Sequence, residues 1–212
     1  MFFLNLSTKY DKFNLGGRMD NCSFCNLDFT KLENTIIEET KNFYILPTLG
    51  SICEGYLLII PKKHINSMSE TKYRGELIDL MEKYRKIFFN LYGKYPIIFE
   101  HGTASIDSAS SASITHAHIH IVNHNYCNEY KILNELKFVK VNKKDYFSIK
   151  NKSYIFYISS NNDYYISYNF PSLSQLMRIY IARDLNLNIE YNWRKFEFKE
   201  NIEKTIKKLK TK

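Results

Sequence analysis

The sequence predicts an α+β chain, mostly antiparallel sheet with long helices at its side. Three observations predict it. Short apolar runs such as "YLLIIP" and "YPIIFE" recur between turn residues. One long stretch, about Ser69 to Tyr92, carries Leu77, Leu80, Met81, Tyr84, Ile87, Phe88 and Leu91 at three-four spacing. After Tyr126 the pattern breaks into short β-type runs separated by Asn, Lys and Asp, which reads as an antiparallel meander.

Taken in order, residues 1–20 form an irregular lead-in that ends in "LGGRMD". "NFYILP" reads as a strand closed by Pro47, and the turn-rich "TLGSICEG" delivers the chain into "YLLIIP", a continuous apolar run of buried-strand length. The long helix follows "KKHINSMSE" and has Gly93 as its stop signal. "YPIIFEHG" is a further strand, and the small-residue loop "TASIDSASSAS" leads into "SITHAHIHIVNH". Beyond it, "LKFVKV", "YFSI", "SYIFYIS" and "YYISYN" are the β-type runs, with Asn161-Asn162-Asp163 as a hairpin turn. Pro171 and Ser172 open a helix with Leu173, Leu176, Met177, Tyr180 and Ile181 on one side. The expected organisation is a lead-in at 1–20, a core at 21–125 and an extension at 126–212 packed on it as one compact unit.

The chain of 212 residues carries a net charge of +8, and its 44% hydrophobic content is enough for a real core. Half of that charge sits in "KENIEKTIKKLKTK", with six Lys against two Glu. Such a tail is more often a solvated amphipathic helix than a nucleic-acid arm, although a basic surface favours a polyanionic ligand such as a nucleotide. The N-terminal apolar run is too short for a secretory signal and no stretch approaches a membrane span, so a cytoplasmic location without membrane attachment is expected. In that setting Cys22 and Cys25, spaced CxxC, read as metal or redox chemistry before disulfide; Cys53 and Cys127 read as structural or surface residues.

"SITHAHIHIVNH" holds four of the six histidines. Residues two apart on a strand share a face, so His116, His118 and His120 project together while Ala117, Ile119 and Ile121 face a core. Spaced about 7 Å apart along the strand, the three cannot share one tetrahedral metal unaided, but they can line a groove. An imidazole there is largely unprotonated at neutral pH and suits a nucleophile. Ser105, Ser108, Ser110, Ser111 and Ser113 offer hydroxyls for phosphate oxygens. His64, in "IIPKKHI", joins Cys22 and Cys25 as a third borderline-soft ligand, and His116 is a candidate for the fourth. A reduced, unligated cysteine pair and three unrelated surface histidines are the bland alternatives.

"HAHIHIV" matches the alternating signature of the histidine triad (HIT) superfamily of nucleotide hydrolases and transferases. "CSFC" and "YLLIIPKKHI" resemble the two other landmarks of its zinc-containing members, in the same order and with similar separations, from Cys22 to Val122. The resemblance implies a HIT-like fold, an antiparallel sheet with a long helix at its side, to which the C-terminal β-meander and helices are added. It implies that His118 attacks the α-phosphorus of a nucleotide to form a nucleotidyl-histidine, that His120 contacts phosphate oxygens, and that Ser113 sits near the bridging oxygen. It implies a structural zinc held by Cys22, Cys25, His64 and His116, and a homodimer. Hydrolysis of a phosphoanhydride, phosphoramidate or phosphoester is the leading activity, since His120 stands where transferase-like members usually carry glutamine. A nucleotidyltransferase or phosphorylase, and a nucleotide-binding protein without turnover, are the alternatives.

The chain departs from the family where a ribose-gripping carboxylate is usual: the matching position falls near Tyr44. "FEHG" replaces the usual Asn-x-Gly, which makes Glu100 and His101 candidate substrate contacts, with His101 alternatively a spare zinc ligand. Gln175 and Arg178, three apart on an apolar helix, are candidates for reaching the substrate, as is Ser111. Trp193 and Arg194 read as packing, and His124 as none of these.

Overall fold

Among the described residues, strand alternation sorts the buried apolar side chains onto two sheet faces. The computed structural model describes residues 22–103 and 116–211. Its eight strands are β1 (Glu38–Glu39), β2 (Phe43–Pro47), β3 (Tyr56–Pro61), β4 (Ile97–Gly102), β5 (Ile119–Val122), β6 (Val139–Val141), β7 (Tyr154–Ile158) and β8 (Tyr164–Ser167). They form one antiparallel sheet in the order β1-β2-β3-β5-β4-β7-β8-β6. The helices are α1 (Arg74–Tyr92), α2 (Glu129–Glu135), α3 (Lys143–Tyr146), α4 (Leu176–Asp184) and α5 (Lys199–Lys210).

α1 covers one face. Leu77, Leu80, Met81, Tyr84 and Phe88 pack there against Ile45, Leu57, Ile59, Ile98, Ile119, Ile121 and Phe156. Full burial of each such side chain stabilises the fold by roughly 1.5–3 kcal/mol. The other face carries Leu46, Leu58, Ile60, Ile97, Val122, Ile155 and Tyr157, and it is covered by Ile132 of α2 and by Leu176, Met177, Ile181 and Ala182 of α4. Residues after 125 therefore do two things. β7 pairs with β4, Ile98 opposite Ile158, and so widens the sheet; α2 and α4 cover the face that α1 leaves bare. Among the described residues no helix is long and apolar enough to cross a membrane.

Four local expectations differ from the structure. The helix expected from Ser69 is a 3-10 turn at Met68–Glu70 followed by α1, and α1 ends on Gly93 at φ +70, where a glycine is at ease. "YFSI" is not a strand: the side chains of Asn142 and Asp145 form a capping box that nucleates α3, and Tyr146 and Ile149 turn inward three residues apart. The helix expected from Pro171 starts at Leu176, after Gln175 adopts a left-handed conformation at φ 64. The meander is also reordered. β7 and β8 form a hairpin with Asn162 at φ 68, but β6 pairs with the far side of β8 because α3 occupies the connection to β7.

The extension is clasped to the β2–β3 turn. Arg178 Nη2 donates to the Gly50 carbonyl at 2.6 Å, and the Gly50 N–H donates to Glu197 O at 2.9 Å. Asn201 Nδ2 donates to Ser51 O, and the Gly55 N–H to Thr205 Oγ1, both at 2.8 Å. Gly50 has φ +72, and a Cβ there would lie 2.5 Å from Trp193 Cβ, so no other residue fits without displacement. α5 buries Ile202 and Thr205 and turns its lysines outward; Lys208 pairs with Glu54.

Candidate functional site

The CxxC segment folds as a tight turn in which the N–H groups of Cys25 and Asn26 both reach Cys22 O at 3.1 Å, which sets the two thiols together. His64 and His116 meet because the Ala117 N–H donates to Ile65 O at 2.7 Å, tying the segment after β3 to the approach of β5. His116 Nδ1 lies 3.4 Å from Cys22 Sγ and 3.5 Å from Cys25 Sγ, and His64 Nδ1 lies 3.4 Å from Cys25 Sγ. All four ligand atoms lie within 4.8 Å of one another. A tetrahedral ion with Zn–S of about 2.3 Å and Zn–N of about 2.0–2.1 Å separates its sulfur and nitrogen ligands by about 3.5 Å. The donor set and spacing fit a structural zinc.

The surroundings support this. His116 Nε2 lies 2.8 Å from Pro61 O, which assigns the ring proton to Nε2 and leaves Nδ1 free to ligate. Burial pushes His116 down to about 4, so the ring is neutral as a ligand must be. With four protein ligands such an ion has no open position and serves as a cross-link between the CxxC turn, β3 and β5. His101 is not a spare ligand: it lies on β4, on the wall of a cavity outside this cluster.

That cavity, of about 280 Å³, opens on the sheet face opposite α1. His118, His120, His101 and Phe99 line its floor; Phe24 from within the CxxC turn, with Leu27 and Asp28 just after it, contributes to its wall. The extension supplies Gln175, Met177, Arg178 and Trp193. Alternation on β5 therefore holds: His120 faces the cavity while Ile119 and Ile121 face α1. The three triad histidines are not equivalent, because His116 precedes the strand and joins the cysteines.

His118 Nδ1 lies 2.8 Å from His116 O, a carbonyl that can only accept, so Nδ1 carries the proton and Nε2 keeps a lone pair. Burial lowers the basicity of His118, which keeps the ring neutral. Phe24 holds it edge-on at 5.3 Å between ring centroids. His120 stacks on Phe99 at 4.4 Å and 13°. Burial, and to a lesser degree its neighbour His118, pushes His101 down to about 4, and its buried Nε2 has no partner among the described residues.

Glu100 is a correction. Next to His101 on β4, it points to the opposite face, where its carboxylate accepts from the Met68 N–H and the Tyr146 hydroxyl, both at 2.6 Å, and from the Tyr154 hydroxyl. It is buried in the α1-side core and touches no part of the cavity. Arg178 does reach the cavity, but two of its nitrogens are committed to Gly50 O and Tyr191 O. Gln175 lines the wall and accepts from the Trp193 N–H at 3.2 Å. Ser111 and Ser113 lie outside the described residues. Sequence reading passed over Phe24, Asp28 and Tyr56, and treated Trp193 as packing. Phe24 is the aromatic residue of "CSFC" and Asp28 lies three residues after it, which was the available signal.

Fold and site together define a histidine-triad-like protein with a Cys2His2 cluster. The chain belongs to the family described as "Protein similar to CwfJ C-terminal", whose model matches residues 11–139. Among solved structures, it is similar to a zinc-bound histidine triad family protein from Mycobacterium smegmatis, at 18% identity and TM-score 0.40 over 51% of this chain and 78% of that one. It is also similar to a HIT family hydrolase from Clostridium thermocellum, at 23% identity and TM-score 0.38 over 50% of this chain and 92% of that one. A Hit-like protein involved in cell-cycle regulation from Bartonella henselae gives 19% identity and TM-score 0.35 over 41% of this chain and 63% of that one.

Proposed function

We propose that the protein hydrolyses a nucleotide-containing phosphoanhydride, phosphoramidate or phosphoester through a nucleotidyl-histidine intermediate. The observation that carries this reading is the 2.8 Å contact of His118 Nδ1 with His116 O, which leaves a neutral Nε2 lone pair on the wall of the cavity. In the first step His118 Nε2 attacks the α-phosphorus. A phosphorus–nitrogen bond forms, the bond to the leaving group breaks, and the leaving group departs with the electron pair and takes up a proton from solvent. In the second step water attacks the same phosphorus and releases a proton to solvent, the phosphorus–nitrogen bond breaks, and the imidazole regains its Nε2 lone pair. One hard displacement becomes two easier ones.

His120 stands beside the attacking ring, 4.7 Å between centroids, where it can meet a phosphoryl oxygen. Phe24, Trp193 and Met177 offer apolar walls for a base, and Asp28 lies on the same wall as an acceptor for hydroxyls. The role of Ser113 near the leaving group is part of the same proposal. The test is a panel of adenosine phosphoramidates, dinucleoside polyphosphates and adenylylated DNA, run with wild type and His118→Ala. Turnover of one class, falling about 10³-fold or more in the variant, is expected. Equal rates across the panel would sink the proposal. Trapping a phosphorus–nitrogen adduct on His118 checks the intermediate, and added orthophosphate or sugar phosphate separates hydrolysis from transfer.

A further inference from the structure

Tyr56 is a hydroxyl placed inside an otherwise apolar strand, and it is fully buried. In the β3–β5 register Tyr56 lies opposite Val122 and Leu58 opposite His120, which makes Tyr56 and His120 diagonal neighbours on the cavity face. Tyr56 Oη is 2.9 Å from His120 Nδ1. Phe99, stacked on the other side, fixes the plane of that imidazole. Above the Tyr56 ring sits the Arg178 guanidinium, its carbon 5.5 Å from the centroid, anchored in turn on Gly50 O and Tyr191 O.

We infer that Tyr56 donates its proton to His120 Nδ1 and so fixes His120 as the Nε2–H tautomer, which presents an N–H to the cavity. The reasoning is one of satisfaction. A buried phenol proton needs an acceptor, and the guanidinium beside it has only donors. His120 Nδ1 is the acceptor that the described residues place within reach. The opposite tautomer would spend Nδ1–H on the phenol oxygen and strand the phenol proton between a guanidinium and an apolar core. Protonation of both His120 nitrogens is not the alternative, because burial holds that ring neutral.

The two cavity imidazoles are thus of opposite polarity. His118 offers a lone pair and His120 a proton. On the proposed phosphorus chemistry, His120 Nε2–H donates to a non-bridging oxygen of the group that His118 attacks, so the rings cooperate instead of competing for an electrophile. Tyr56 acts through His120 and is a positioning residue. Through Arg178, the extension holds the far end of the same chain of contacts.

The test is a long-range ¹H–¹⁵N spectrum of the full zinc-loaded chain with ¹⁵N-labelled histidine, with His120 assigned by His120→Gln. Wild type is expected to show protonated Nε2 and an acceptor Nδ1 at His120. Tyr56→Phe, which keeps the ring, is expected to shift it to a mixture of tautomers and to lower kcat roughly tenfold with little change in KM. A wild-type spectrum with protonated Nδ1 at His120 overturns the inference, and it can be read even where the variant does not fold. An unchanged tautomer in Tyr56→Phe overturns it as well. The spectrum is taken on free protein, so failure of the proposed hydrolysis leaves this result intact.

Discussion

His118 Nδ1 lies 2.8 Å from the carbonyl oxygen of His116. A backbone atom of a residue in the Cys2His2 cluster thus holds the ring of the candidate nucleophile, and the metal cluster and the cavity meet at one peptide unit.

Cys22→Ser should therefore disturb more than metal content. Zinc measured on the purified chain is expected to fall from about one per chain, with affinity reduced by more than the roughly 10–100-fold that even outer partners of a metal site cost. Thermal stability should fall with it, since structural zinc affinity is folding free energy. Stoichiometric zinc and an unchanged melting temperature in the variant would contradict the assignment.

Gly50→Ala tests the clasp. The new methyl group meets Trp193 Cβ at 2.5 Å on a backbone at φ +72. Strain and overpacking together should cost about 2 kcal/mol or more, which for a chain of this size lowers Tm by roughly 4–8 °C. Urea or thermal melts check it, and a change within error would show that the clasp bears no load.

Glu100 predicts a pH signature. Burial raises its carboxyl from 4.5 to about 7, against hydrogen bonds from Tyr146, Tyr154 and Met68 that hold it down. Between those values the folded chain keeps the proton and the unfolded chain loses it, so stability falls as pH rises through the window. Its contribution is complete below 4.5 and gone above 7. At 1.36 kcal/mol per pH unit the total is about 3 kcal/mol. Glu100→Gln cannot titrate, so the wild-type minus variant stability should drop by about that amount from pH 4.5 to 7. A flat difference would refute it.

Trp193→Ala removes an apolar wall at the cavity without touching either imidazole. If Trp193 holds substrate equally in the ground and transition states, KM rises about tenfold and kcat holds. A fall in kcat at constant KM would assign Trp193 to the reacting end instead.

The parts legible in the sequence were those encoded by local spacing. CxxC brings two thiols into one turn, and strand alternation gives His118 and His120 one face, whatever the rest of the chain does. Glu100 was misplaced because adjacency to His101 was read as shared location, although neighbours on a strand point to opposite faces. Tyr56 was missed because its hydroxyl has meaning only in the β3–β5 register, a pairing across 64 positions. A single polar atom in the run "YLLIIP" was its one trace. α3 was hidden because aromatic residues suit strands by propensity, and the capping side chains of Asn142 and Asp145 outweighed that preference.

The Gly55–Thr205 hydrogen bond joins residues 150 positions apart, and Arg178 reaches back 128 to Gly50. The order of synthesis is therefore opposed to the order of completion. A nascent chain that has already made both cysteines and every triad histidine still lacks the wall that Trp193 provides and the brace on Tyr56. Until α4 and Trp193 emerge and pack against the β2–β3 turn, the cavity stays open on one side, so the site is walled only after the whole sheet has been made.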